Sequence, residues 1–174
     1  MRKLTAALAA SALMVSFAAF AAATAAAAEE EEPATTATAA ALAKLLDKEK
    51  LTYQQDEDRL RRTYFFTDDR SQQVFLQPQS DVREVGVVEV YSWVMELKGS
   101  PSPALAKRLL EENGSQKLGY FGIEEVDGKQ YVFCYHNLPT EGLTSKSLAA
   151  TMISVAEMAD EMEKEQLGAK SDEY

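Results

Sequence analysis

Apolar residues along this chain change their spacing several times, and each change marks a new element. Leu42, Ala43, Leu45 and Leu46 fall on one stripe at helical spacing, so a first helix is expected from a Thr36 or Thr38 cap to about Lys50. Between Leu51 and Leu97 the pattern turns into short Tyr-, Phe- and Val-rich runs broken by polar turns. These predict strands over Leu60–Thr67, Gln72–Gln77 and Val85–Leu97, with Asp68-Asp69-Arg70-Ser71 closing the first hairpin and Thr52–Gln55 as a short extra edge piece. In the third strand Val85, Val87, Tyr91, Trp93, Met95 and Leu97 point one way by strict alternation, and Val88, Val90 and Val94 the other. A strand apolar on both sides belongs in the middle of a sheet.

A second helix opens at Ser100-Pro101-Ser102-Pro103. Ser102 suits the N-cap and Pro103 the first helical position, where a missing N–H costs nothing, and Asn113-Gly114 suits the stop. Leu105, Ala106, Leu109 and Leu110 form its expected buried stripe. Then two β-rich runs, Lys117–Val126 and Lys129–Asn137, flank Asp127-Gly128, the pair a type I′ turn wants because both central residues take positive φ. If Val126 faces Lys129, then Ile123 faces Val132, Phe121 faces Cys134 and Gly119 faces His136 on one side. Glu124 then faces Tyr131, Gly122 faces Phe133 and Tyr120 faces Tyr135 on the other. Past Leu138-Pro139 and the Gly142 turn, Thr144 caps a last helix to about Gln166, whose stripe of Leu148, Met152, Val155, Met158, Ala159 and Met162 is read as core.

The order α-β-β-β-α-β-β-α describes an α+β domain built on an antiparallel sheet. Five local features carry a family likeness: Leu109-Leu110-Glu111-Glu112-Asn113, Gly119-Tyr120-Phe121-Gly122, the Asp127-Gly128 turn, Leu138-Pro139 and Gly142-Leu143-Thr144. In these, and in the order of elements from about Leu42 to Gln166, the chain resembles the YbjN family of bacterial sensory-transduction regulators. The resemblance implies a fold like that of type III secretion chaperones. It also implies a binding or chaperone-like role toward protein segments, often as a dimer, with no catalytic residues to carry over. Secretion chaperones act in the cytoplasm, and here the chain departs from them.

The departure lies in residues 1–28. Met1-Arg2-Lys3 is cationic, Leu4 to Phe20 is apolar, and Ala21 to Ala28 is small-residued and runs into Glu29-Glu30-Glu31-Glu32-Pro33. This is read as a cleavable signal peptide, cut after Ala28, rather than as a retained anchor, the alternative for a tract of this length. The expected location is periplasmic or secreted. Residues 29–38 are expected to be a disordered acidic tether, 39–167 a single domain, and 168–174 a flexible end.

Removing the two basic residues of 1–28 from a chain of formal charge −10 leaves −12, which repels phosphate backbones and anionic headgroups. Neither nucleic acid nor, once the signal is removed, a membrane is therefore an expected partner. Cys134 is the only cysteine and His136 the only histidine, so no intrachain disulfide forms. At positions i and i+2 of one strand their side chains start about 7 Å apart, too far for a nucleophile and its base. The acidic clusters Asp56-Glu57-Asp58, Asp68-Asp69, Glu111-Glu112 and Glu124-Glu125 lack the spacing of a calcium loop. No catalytic residue, metal site or cofactor is expected.

The remaining signal is aromatic. With Phe121, Ile123, Val132 and Cys134 turned inward, Tyr120, Tyr131, Phe133 and Tyr135 share the opposite face, joined by Tyr91 or Trp93 of the neighbouring strand. Such rings favour protein interfaces, although a helix or tether covering this face is an equally weighted reading. The expected function is a non-catalytic, chaperone-like or regulatory exported protein. It would bind a protein or peptide partner, a second copy included, through this face. The alternative is a small-ligand binder with a pocket between sheet and helices.

Overall fold

The computed structural model describes residues 38–82, 85–116, 118–169 and 172, all within one compact unit. Residues 1–37, which hold the expected signal peptide and nearly all of the tether, lie outside the described residues. Helix α1 covers Ala39–Lys48, and the Thr38 side chain caps it by accepting from the Ala41 N–H. Four strands follow: β1 (Gln54–Asp56), β2 (Arg59–Phe65), β3 (Ser71–Val82) and β4 (Val85–Leu97). Then come α2 (Pro103–Ser115), β5 (Tyr120–Val126), β6 (Lys129–Pro139) and α3 (Ser145–Leu167). The short edge piece is thus a strand in its own right, and four strands rather than three precede α2.

The six strands form one antiparallel sheet in the order β1-β2-β3-β4-β6-β5. The β5–β6 register from Tyr120–Tyr135 to Val126–Lys129 is the one the turn dipeptide dictates, with Asp127 and Gly128 at φ of 52° and 76°. Alternation then sorts each strand into two faces. Leu60, Val74, Leu76, Val88, Val90, Val94, Val132 and Cys134 are fully buried in the core that receives Leu42 and Leu46 of α1, Leu105 and Leu109 of α2, and Leu148, Met152, Val155 and Ala159 of α3. The methionine stripe of α3 is therefore packed core.

Strict alternation fails once in β4. Trp93 pairs with Phe133, yet Met95 pairs with Val132, so Val94 is an extra residue in a β-bulge. One inserted residue shifts the period of two by half. Met95 and Leu97, expected beside Trp93, consequently pack in the helix-side core. Gln72 and Ser92 take up polar groups displaced there: the Gln72 amide donates to Ser92 Oγ (2.8 Å) and to the Trp93 carbonyl (2.5 Å), and Ser92 Oγ donates to the Gln73 carbonyl (2.6 Å).

Two other expectations are corrected. Helix α2 runs through Asn113-Gly114 to Ser115, because Asn113 turns its side chain sideways to β5 instead of ending the helix. Leu110, placed by its spacing on the buried stripe, is 72% exposed. Arg70, at the end of the first hairpin turn, is 2% exposed and donates to Asp160 (2.6 Å) and Glu163 (2.9 Å) of α3. Burial works against its charge, but the Asp160 and Glu163 carboxylates leave its pKa above the ordinary value.

Candidate functional site

The second sheet face is built by the same register. Phe75 of β3 pairs with Tyr91 of β4, Tyr91 with Tyr135 of β6, and Tyr135 with Tyr120 of β5, which lays four rings across neighbouring strands. The next row along holds Trp93 opposite Phe133, and Tyr131 follows beyond the bulge. All six aromatic residues expected on this face are on it.

They form one continuous ring network. Phe75 stacks on Tyr91 at 5.0 Å, and Tyr135 on Tyr120 at 5.6 Å. Trp93 lies 4.4 Å from Phe133 and 4.8 Å, edge-on, from Tyr131. Each such pair adds about 0.5–1.5 kcal/mol beyond the area it buries. Gly122, opposite Phe133, makes room for the network: a Cβ there would stand 3.1 Å from the Tyr135 ring. Exposure divides the set. Tyr91, Phe133 and Tyr135 are buried, Trp93 and Tyr131 are half-buried, and Tyr120 is exposed. The three described helices all pack on the opposite face, so none of them covers the aromatic one.

The residues that reading the sequence missed are Phe75 and Arg59. Phe75 sits between Val74 and Leu76, and only the β3–β4 register shows that it leaves the core they join. The Arg59 guanidinium lies 5.4 Å over the Phe75 ring and donates to the Tyr91 hydroxyl at 3.3 Å. Carboxylates lie on the face as well. Burial, with Glu124 nearby, raises the Glu89 carboxyl, and burial followed by the Glu124 carboxylate raises the Tyr135 hydroxyl. Arg59 thus lies toward β2 with Asp58 also near Tyr91, and Glu89 and Glu124 add further carboxylates to the face.

Cys134 and His136 point to the helix side. Burial pushes the Cys134 thiol up to about 12, so it stays protonated. His136 Nδ1 accepts the Gly119 N–H at 2.9 Å, and burial lowers its pKa, which keeps the ring neutral. Among the described residues no three His, Cys, Asp or Glu side chains group as a metal set.

The described fold is similar to that of YbjN, a proposed transcription regulator from E. coli. Its crystal structure superposes with a TM-score of 0.50 at 13% identity, over 74% of this chain and 88% of that one. At that identity the likeness concerns the fold. No family model matches the sequence, and no curated protein matches it.

Proposed function

We propose that this chain is a non-catalytic exported protein, chaperone-like or regulatory in kind, that binds a polypeptide partner on its aromatic sheet face. The observation that carries the reading is the division of the sheet. One face is filled by three helices, while the other presents Tyr120, Trp93 and Tyr131 around a floor of buried rings, with none of those helices on it. Rings with an apolar body and a polar tip suit a surface that alternates between solvent and a partner. Arg59, Glu89 and Glu124 offer groups of both signs to a polypeptide partner, a second copy included.

The small-ligand reading has less support. The space between sheet and helices is occupied by side chains such as Leu76, Val90, Leu148 and Met152, all fully buried.

The test uses Tyr120→Ser combined with Tyr131→Ser, both outside the helix-side core. Sedimentation velocity of the mature protein reports self-association, and suppression of light scattering by reduced, unfolded α-lactalbumin reports client binding. Loss of either in the double variant, with the unfolding midpoint preserved, supports the reading. Parent protein that is monomeric and without effect on α-lactalbumin overturns it, as does a double variant indistinguishable from the parent.

A further inference from the structure

Strand β5 is the last strand of the sheet, so one of its sides faces away from every other strand. Asn113 shows which backbone groups point that way. Its side chain accepts the Phe121 N–H at 2.6 Å and donates to the Phe121 carbonyl at 3.0 Å, imitating one residue of a missing neighbour. By the period of two, the N–H and C=O of Ile123 and Glu125 also point outward, and no partner among the described residues takes them up.

Leu110 flanks this open stretch. It lies three residues before Asn113, on the same side of α2, and so about one helical turn back, near 5 Å. Ile123 lies two residues beyond Phe121, near 7 Å along the strand. Asn113 thus fixes the side of α2 that meets the β5 edge, and Leu110 falls on that side one turn earlier. Outward backbone groups on an edge strand, with an apolar side chain 72% exposed on the neighbouring helix, suit a strand-shaped ligand.

We infer that the outer edge of β5 at Ile123 and Glu125 takes an additional strand from another polypeptide, one that alternates basic with branched apolar residues. Charge selects the partner. Glu124 and Glu125 are both exposed at this edge, and a lysine or arginine opposite Glu124 gains a cross-strand ion pair. A second copy is disfavoured by the same residue. With Phe121 already taken by Asn113, a two-fold pairing of β5 with itself centres on Glu124 and sets two carboxylates directly opposite each other. This surface is separate from the aromatic face, and its test is separate too.

The probe is a blocked seven-residue peptide alternating lysine and valine, titrated into the isotopically labelled mature protein. Saturable binding is expected, with the Ile123 and Glu125 amides protected from hydrogen exchange at least tenfold. A peptide with glutamate for lysine, and one N-methylated on the residues facing β5, should each bind at least tenfold more weakly. Ile123→Pro removes an outward N–H and should abolish binding in a protein that is still folded, with a lowered unfolding midpoint because Ile123 also packs against the core; Leu110→Glu, a change at an exposed site, should weaken it in a correctly folded protein. Phe65→Ser, an exposed apolar site on the distant strand β2, should leave it unchanged. Equal binding of the N-methylated peptide, retention in Ile123→Pro, loss in Phe65→Ser, or no saturation at millimolar peptide would each overturn the inference.

Discussion

The two faces of the central sheet are made of different chemistry and hold different kinds of structure. The helix-side face is aliphatic and sulfur-bearing, with most of its members fully buried under three helices. The opposite face is aromatic, and its rings shield one another while Tyr120, Trp93 and Tyr131 keep contact with solvent. Aliphatic side chains gain only by exclusion from water and need a lid. Tyrosine and tryptophan tolerate a wet boundary because one end hydrogen-bonds, as Tyr120 does with the Asn137 amide at 2.9 Å. The first face fixes the fold and the second leaves surface for something else.

Substitutions can break that contrast, and the most damaging is expected at Arg70→Ala. It removes the guanidinium from Glu163, which is fully buried, and from Asp160, at a cost of about 3–5 kcal/mol in urea unfolding. A loss under about 1 kcal/mol would show that water replaces the guanidinium. Leu148→Ala on the helix side should cost about 2–5 kcal/mol, whereas Tyr120→Ser on the aromatic side should cost about 1 kcal/mol or less. Equal losses at the two positions would mean that both faces are core.

A smaller effect is expected from pH. His136 has its folded pKa lowered, so the unfolded chain takes up the proton first, and the stabilisation from the neutral ring is complete above the ordinary value of 6.5. It fades as pH falls from there toward the folded value. Subtracting the profile of His136→Gln from that of the parent isolates this slope from the carboxylates, and a flat difference between pH 5 and 7 would refute it. The smallest effect is an absence of reaction. Cys134, fully buried and held as a thiol, should react with an aromatic disulfide reagent only as fast as the chain unfolds. Prompt labelling of the folded protein would mean that the helix layer opens locally.

Local rules carried the sequence reading a long way. The caps at Thr38, Ser102 and Thr144, the type I′ turn at Asp127-Gly128, and the β5–β6 register all follow from neighbours in the chain, and the structure has them. What was not legible depends on partners distant in sequence. The bulge at Val94 needs the β6 register before it shows, and it reassigns Met95 and Leu97. Arg70 looks like a turn residue until α3 folds over it, ninety positions later. Leu110 has the spacing of a buried residue, but the sheet ends at β5 and has no further strand for it to lie against. The aromatic face was legible because alternation along β6 and one turn dipeptide fix it together. Phe75 was not, since that required pairing β3 with β4.

The ties between the first hairpin and α3 also bear on how the molecule assembles during synthesis. Arg70 finds Asp160 and Glu163, and Asp68 finds Lys164, only after almost every other element has been made. Until then a guanidinium destined for the interior lacks the two α3 carboxylates that hold it there, and the nascent polypeptide keeps a reason to stay open. A ribosome stalled short of Asp160 would therefore carry an incompletely closed chain, and release of the last helix would act as the latch.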